Sequence, residues 1–306
     1  MTRLRLLVLG AGAGGGVPQW NCRCRVCTLA WANDGRVRHR TQSSIAVSLN
    51  GEEWLLVNAA PEVLAQIKTN PQLHPRHQDG GTGRHSPISS VLLTNGDIDH
   101  VAGLLSLRES QPFDLYATEE IHSILRANRV FDVLAEGVVE RRALGLDTPF
   151  QPLAGLEVRV FPVPGKTALY METPDLEIGA IGQATVGVEF LSEAGSIYYI
   201  PGCAGMNDAL AQRLTGAAAV LFDGTLWQDD EMITAGVGKK TGHRMGHLSI
   251  SGPDGSMAAF EALDVGRKIF VHINNTNPVL IEDSQERRAV EAAGWEVAYD
   301  GMEVRL

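Results

Sequence analysis

The chain has 306 residues, 44 % of them hydrophobic and 20 % charged, enough to bury a large core and too apolar for a mainly disordered polymer. Twenty-six Lys and Arg against 36 Asp and Glu give a formal charge of −10, which argues against a protein that tracks a phosphate backbone by charge, so no nucleic-acid partner is expected. No apolar run approaches the roughly 18–20 residues that cross a bilayer, and the first ten residues turn glycine-rich too soon for a signal peptide; a cytoplasmic protein with no membrane partner is expected.

Residues 4–9 form a continuous apolar run closed by glycine, the pattern of a buried strand. Further strands are predicted at 45–49, 54–57, 88–94, 115–118, 158–163, 186–191, 197–200, 219–223, 268–272 and 297–299. Helical spacing appears between them at 61–69, 101–108, 119–128, 207–214, 255–263 and 284–293. Strands come in consecutive groups instead of alternating strictly with helices. That order predicts an α+β fold of sheets packed on one another with helices outside. Residues 71–87, rich in Gly, His, Pro and Arg, read as a surface loop with His74, His77 and His85 in solvent, and 141–155 as a loop joining two halves. No linker divides the chain, so a single domain over 1–306 is expected.

Gly10-Ala-Gly-Ala-Gly-Gly15 fits the dinucleotide fingerprint G-x-G-x-x-G after a strand. The fingerprint must open a helix whose N-terminus holds a pyrophosphate. Here the chain runs on through Gly16-Val-Pro18-Gln-Trp20-Asn-Cys22, and no strand ending in an acid follows at the required distance. The glycines therefore read as a loop through which the backbone passes close to other groups.

Three of the four cysteines, Cys22, Cys24 and Cys27, fall within six positions. Thiolates bunched in this way suit a closed, structural Zn²⁺ site. A fourth ligand is missing locally; His39, Cys203 and a distant residue such as Asn275 are candidates, and Arg23 and Arg25 are expected to lower the thiol pKa values.

The central motif is Thr94-Asn95-Gly96-Asp97-Ile98-Asp99-His100, and it is followed far downstream by Arg244-Met-Gly-His247 and Phe270-Val-His272. This resembles the H-x-H-x-D-H motif and late histidines of the metallo-β-lactamase superfamily, with Asn95 and Asp97 standing where two histidines usually sit. Together with Arg40-Thr-Gln-Ser-Ser-Ile45, Tyr199-Ile-Pro-Gly-Cys203, Gly242-His-Arg-Met-Gly-His247 and His272-Ile-Asn-Asn-Thr-Asn-Pro278, the wording resembles the pyrroloquinoline quinone (PQQ) biosynthesis protein B family over nearly the whole chain. The resemblance implies an αββα sandwich of the metallo-β-lactamase type.

In the superfamily's two-metal hydrolases, one metal rests on the first two motif histidines and a mid-chain histidine, the other on the Asp-His pair and the late histidine. By that resemblance the first set is lost: Asn95 is a poor ligand, the stretch around Lys166 has no histidine, and Cys203 is read at the place of the bridging aspartate. The second set survives as Asp99, His100 and His272, two imidazoles and a carboxylate with an open face, which suits Fe(II) that activates O₂, with Zn or Mn as other metals the site could load. Asp97 is expected as a further, harder ligand or a catalytic orienting group, and His247 as the residue that moves protons. His243 is read as solvated; Lys166 is read as a surface lysine, with contact to a substrate carboxylate as the alternative. A simpler reading, in which Asp97 and Asp99 cap a helix and His272 is a core residue, explains neither His100 nor the other distant histidines. A lone metal is badly placed for hydrolysis by a bridging hydroxide. The related phosphodiesterase branch implies Asn275, three residues after the last active-site histidine, as the fourth structural-zinc ligand.

The resemblance further implies a role in PQQ biosynthesis, by iron- and O₂-dependent hydroxylation of a tyrosine-derived precursor. The partners it implies are a small-molecule or peptide-derived precursor and other PQQ-pathway proteins. Two alternatives stand beside it: a metal-dependent, phosphodiesterase-like hydrolase, and a non-catalytic carrier of PQQ or its precursor serving transport.

Overall fold

Strand alternation sorts the apolar residues into three layers. In the computed structural model, which describes residues 4–77 and 83–306, the strands are β1 (Arg5–Gly10), β2 (Ser44–Ser48), β3 (Trp54–Val57), β4 (Ile88–Leu92), β5 (Phe113–Thr118), β6 (Val139–Leu144), β7 (Phe150–Leu153), β8 (Leu156–Pro162), β9 (Val186–Ser192), β10 (Gly195–Ile200), β11 (Ala219–Asp223), β12 (Arg267–Val271), β13 (Trp295–Val297) and β14 (Glu303–Arg305). They form two seven-stranded sheets, ordered β14-β1-β2-β3-β4-β5-β6 and β13-β12-β11-β10-β9-β8-β7. Within β1, Leu6 and Val8 point between the sheets while Leu7 and Leu9 point outward; within β11, Leu221 points inward and Val220 and Phe222 outward. Because side chains alternate faces with a period of two, each sheet is apolar on both faces and must be covered twice. The helices Val63–Thr69 and Glu119–Ala127 cover the first sheet through Val63, Ile121 and Leu125, and Asp208–Leu214 and Gln285–Ala292 cover the second through Leu210, Leu214 and Val290. The result is the expected αββα sandwich.

Several boundaries differ from the sequence reading. Residues 141–155 are not a connecting loop: they contain the end of β6 and all of β7. As an edge strand, β6 exposes Glu140, Ala143 and, in part, Arg141, so it lacks the apolar run that marks a buried strand. The helix Arg25–Trp31 and strand β14 went unread, the helix predicted at 101–108 begins at Ile98 and tightens into a 3₁₀ turn at Ala102–Leu107, and that at 255–263 shrinks to Ser256–Ala259. Residues 1–3, part of the N-terminal reading, and 78–82, part of the predicted 71–87 loop, lie outside the described residues; in that loop His74 and His77 are exposed and His85 is partly covered. No described helix is long and apolar enough to cross a membrane.

The glycine loop after β1 behaves as a close-passing backbone. A Cβ on Gly10 would lie 2.0 Å from the Gln42 carbonyl oxygen, so only glycine fits. The half-buried carboxyl of Asp300 ties this loop to its neighbour, accepting from Ala11 N (3.0 Å) and from Thr41 N and Oγ1 (2.7 Å each). Strands β3 to β6 run parallel, as do β10 to β13. Parallel strands deliver their carboxyl ends to one rim, where open α/β sheets place ligands.

Beneath β12, Trp295 stacks on Phe270 with ring centroids 3.9 Å apart and meets Phe260 edge-on at 4.9 Å. Replacing this fully packed indole, Trp295→Ala, is expected to lower unfolding stability by roughly 3–5 kcal/mol, read from urea denaturation followed by circular dichroism.

Candidate metal centres

The motif after β4 is fixed before it reaches the site. Asn58 Oδ1 accepts from Thr94 N (2.9 Å) and its Nδ2 donates to Thr94 Oγ1 (2.9 Å). Asn95 then turns its Oδ1 inward to accept from Asp97 N (3.0 Å) and His100 Nδ1 (2.6 Å). The residue read as a poor metal ligand is therefore the one that orients His100. With its proton on Nδ1, His100 carries a lone pair on Nε2, and that atom is buried without a hydrogen-bond partner among the described residues.

Asp99 and His100 sit on the short helix Ile98–Val101. His272 reaches them from one residue beyond β12, with φ of 54°, a left-handed backbone that a non-glycine residue holds only where its surroundings impose it. The donor atoms of Asp99, His100 and His272 lie within 4.8 Å of one another. Asp97 does not join them: its Oδ1 accepts from Leu169 N at 2.9 Å. Nor does Asp97 cap the helix by its side chain, so the simple capping reading fails for it.

Asp223, the last residue of β11, is a carboxylate that sequence reasoning placed in a strand and gave no role. It is fully buried. Its Oδ2 accepts from His247 Nδ1 (2.7 Å) and Cys203 N (2.9 Å), and its Oδ1 from Thr225 Oγ1 (2.6 Å) and Thr225 N (3.0 Å). Because the Thr225 hydroxyl gives its proton to Asp223, its oxygen accepts from His272 Nδ1 at 2.8 Å. Both imidazoles are thus anchored through Nδ1, which leaves Nε2 as the nitrogen turned away from the anchor, toward Asp99 in the case of His272, the arrangement that carboxylates and hydroxyls impose on metal-binding histidines. The only available signal was an acid at the carboxyl end of a buried parallel strand. Cys203 lies behind this carboxylate and does not replace it; burial pushes its thiol up to about 12.

His272 Nε2 stands 3.1 Å from Asp99 Oδ2, and His100 Nε2 stands 3.9 Å from the same oxygen. Lone pairs facing a carboxylate at these distances repel unless a proton or a cation lies between them. The titration directions express that demand. Burial alone would raise Asp99, yet the charges of His100 and His272 hold it below the usual carboxylate range; burial would lower His272, yet its hydrogen bond to Asp99 and the charges of Asp99 and Asp223 raise it. His100 is lowered, chiefly by burial. Two imidazoles and one carboxylate with an unpartnered buried nitrogen fit a divalent transition metal. A second group, Asp223, His247 and His272, also falls within 4.8 Å. There the carboxylate oxygens are already engaged by Cys203, Thr225 and His247, and His272 directs Nε2 to Asp99, so the group reads as an acid–histidine pair.

Asp97, Asp99, His100, His247 and His272 line a cavity of about 410 Å³ together with Leu169, Met232 and Met245, inside the range of roughly 300–1,000 Å³ typical of small-molecule sites. Lys166, read as a surface lysine, is instead in the wall with its ammonium 3.1 Å from Glu172 Oε1. His243 is exposed as expected.

The sulfurs of Cys22, Cys24 and Cys27 also lie within 4.8 Å of one another. Of the three candidates for the fourth position, Asn275 alone reaches the thiols: its Nδ2 donates to Cys22 Sγ (3.1 Å) and Cys27 Sγ (3.3 Å), and its main-chain carbonyl oxygen accepts from Cys24 Sγ at 3.2 Å, so a metal would have to take an oxygen of this residue. His39 bonds to Ala30 O instead. Cys27 is lowered to about 6, first by the Cys24 thiol and then by Gln19 N–H and the Asn275 amide, while Cys24 is raised by its bond to Cys27 and by burial. Arg23 and Arg25 are exposed, and neither is among the leading causes of these shifts. Three sulfurs converge in a small space with Cys27 held below the usual thiol range, and such a thiol-rich donor set suits Zn²⁺.

The β-lactamase superfamily domain matches residues 53–273. The chain is similar to coenzyme PQQ synthesis protein B of Methylorubrum extorquens, 57 % identical over 303 residues, covering 99 % of this chain and all of that one. It is similar to the crystal structure of Zn²⁺-bound PqqB from Methylobacterium extorquens, with a TM-score of 0.96 at 57 % identity, over 99 % of this chain and 100 % of that chain. A diphosphatase from the PhnP family shares the fold, with a TM-score of 0.69 at 23 % identity over 99 % of this chain and 97 % of that chain.

Two measurements follow from these geometries. Cys24→Ala is expected to lose the zinc bound by the thiol trio and to unfold at lower temperature, checked by elemental analysis and thermal scanning; full zinc content in the variant would refute the assignment. Glu231 accepts from Thr276 Oγ1 (2.5 Å), beside Asn275, and burial pushes it from 4.5 up to about 7. Its folded pKa exceeds its unfolded one, so its contribution is fully present below about 4.5 and is lost as pH rises through about 7. Glu231→Gln should therefore gain on the wild type by on the order of 1–2 kcal/mol between about pH 5 and about pH 8, read by urea unfolding at each pH.

Proposed function

The chain belongs to the coenzyme PQQ synthesis protein B family of the β-lactamase superfamily, and from that premise we propose that it is a metal-dependent enzyme of PQQ synthesis that hydroxylates a tyrosine-derived precursor with O₂. Asp99, His100 and His272 would hold iron(II), and Cys22, Cys24 and Cys27 with Asn275 would close a structural zinc site. The observation that carries this reading is the convergence at the cavity of the Asp99 carboxylate with Nε2 of His100 and of His272, that of His100 buried without a hydrogen-bond partner among the described residues, while the neighbouring carboxylate of Asp223 is consumed by protein donors. The zinc-bound relative supports metal binding in this family.

Iron(II) in such a set supplies the one-electron chemistry that lets O₂ react with a closed-shell aromatic ring. The balance is simple: one oxygen atom enters the ring as hydroxyl, and the other leaves as water using two electrons from an added reductant. The chain's own groups do the rest. Asn95 and Thr225 keep both ligating imidazoles in the Nε2 lone-pair tautomer. His247, with Nδ1 engaged by Asp223, keeps Nε2 for the proton released as the ring regains aromaticity. Asp97 orients the Leu169 turn that forms part of the cavity wall, so its role is positioning. Leu169, Met232 and Met245 give an apolar wall for the ring.

The test pairs metal analysis of anaerobically purified protein with oxygen uptake on a crosslinked Glu-Tyr precursor, ascorbate serving as reductant. Turnover should require Fe(II) and consume O₂. His272→Ala should abolish it, and His247→Gln should lower kcat by roughly 10²–10⁴-fold with iron content retained. Anaerobic turnover with Zn²⁺ or Mn²⁺ would instead make the protein a hydrolase, and tight precursor binding without turnover a carrier.

A further inference from the structure

The cavity has a second chemical zone away from the imidazoles. Glu172 Oε2 lies 2.8 Å from Arg244 Nη2 and 3.8 Å from Lys240 Nζ, and its Oε1 lies 3.1 Å from Lys166 Nζ. Three cations thus surround one carboxylate, a surplus of two positive charges in a chain whose formal charge is −10. Lys166, Glu172 and Lys240 all line the same cavity as Asp99, His100 and His272.

This cluster is built and not merely superficial. The Lys166 side chain is only 9 % exposed, and burying an ammonium is costly without partners. Its stem is fixed by Gly246, which has φ of 88° and whose Cβ position would lie 3.1 Å from Lys166 Cγ; a side chain there would displace the lysine. Glu172 is drawn down to about 2, first by Arg244 and then by Lys166 and Lys240, against the effect of burial. It follows the turn Leu169–Met171, whose far side is tied to the metal motif by Leu169 N–H to Asp97 Oδ1 and by Tyr170 OH to Gly96 O at 2.7 Å. Leu169 remains 57 % exposed although it lines the cavity, an apolar surface that a bound ring would cover. The other carboxylates of the wall are committed elsewhere, Asp97 to Leu169 and Asp99 to the imidazoles.

We propose that Lys166 and Lys240, with Arg244 bracing Glu172 beside them, form a carboxylate-binding subsite of this cavity, with Glu172 as an internal carboxylate that holds the cations in place and competes with the ligand. The cavity then reads from imidazoles through an apolar wall to a cationic end, and takes an aromatic compound bearing two or more free carboxylates. This rests on the hydroxylase reading for where the ring sits, and excludes a tyrosine whose carboxylates are tied up in peptide bonds.

The test is calorimetric titration of the full zinc-loaded chain, without turnover, using benzene-1,3,5-tricarboxylate and, as a neutral control, benzene-1,3,5-tricarboxamide. The tricarboxylate should bind more tightly than the triamide and lose affinity as salt is added. Lys240→Gln should weaken the tricarboxylate by about three- to tenfold and leave the triamide unchanged. Glu172→Gln should tighten it by a similar factor, because a competing charge is removed. An ion cluster that merely braces the fold gives no change with Lys240→Gln and equal or weaker binding with Glu172→Gln, and either result overturns the proposal, as does a wild-type chain that does not prefer the tricarboxylate. Should Glu172→Gln fail to fold, Lys240→Gln decides alone, its side chain being 41 % exposed. Since no oxygen chemistry is read, a correct binding pattern without oxygen uptake would sink only the hydroxylase, and the converse only the subsite.

Discussion

Asp223 ends a central strand with its carboxylate wholly removed from water, and it accepts hydrogen bonds from Cys203, Thr225 and His247. A buried carboxylate is tolerated only when its oxygens are saturated by donors. Burial would raise its pKa, but the charge and hydrogen bond of His247 bring it below the ordinary range. Satisfying that one group fixes the tautomer of His247 directly and that of His272 through the Thr225 hydroxyl. The lone pairs that face the cavity are therefore set by a residue that does not itself reach the metal position.

The two candidate centres are mechanically one piece. His272, with its left-handed backbone, and Asn275, which meets the three thiols, are three residues apart in a segment that is buried throughout. Its backbone is held by Ile273 N–H to Ala11 O and Asn274 N–H to Thr225 O, and by Asn277 Nδ2 to Gly224 O. Closing the thiol site anchors the strained end of β12, and strain at one residue persists only where the surroundings over-determine it. A metal bound in the thiol trio would in this way set the precision of the other centre.

Charge is partitioned along the cavity: its lining has carboxylate and imidazoles in one group and the lysines Lys166 and Lys240 with Glu172 in another, together with Leu169, Met232 and Met245. In a low-dielectric pocket such separation orients a polar ligand more strongly than the net charge would suggest. The segment carrying Leu169 and Glu172 contacts both ends, so cavity shape and charge are coupled through a single turn.

From the residues alone, most strands and the thiol trio were legible, because each is written in local periodicity or in short spacing, whereas the αββα sandwich and the grouping of Asp99 and His100 with the distant His272 came from the resemblance of the motifs to a known superfamily. Edge strand β6, the helix at Arg25–Trp31 and the true role of Asn95 were not, since an exposed strand has no apolar run and an amide's partner is chosen by geometry. Tertiary structure alone turned His39 toward Ala30 and Cys203 toward Asp223, away from the thiol trio, brought out Asp223, moved Lys166 from the surface into the cavity wall and took Asp97 away from the imidazoles. Those decisions depend on which groups meet across tens or hundreds of intervening residues. Spacing along a chain cannot encode such meetings, whereas the saturation of buried polar groups, which acts only once the sheets have closed, enforces them.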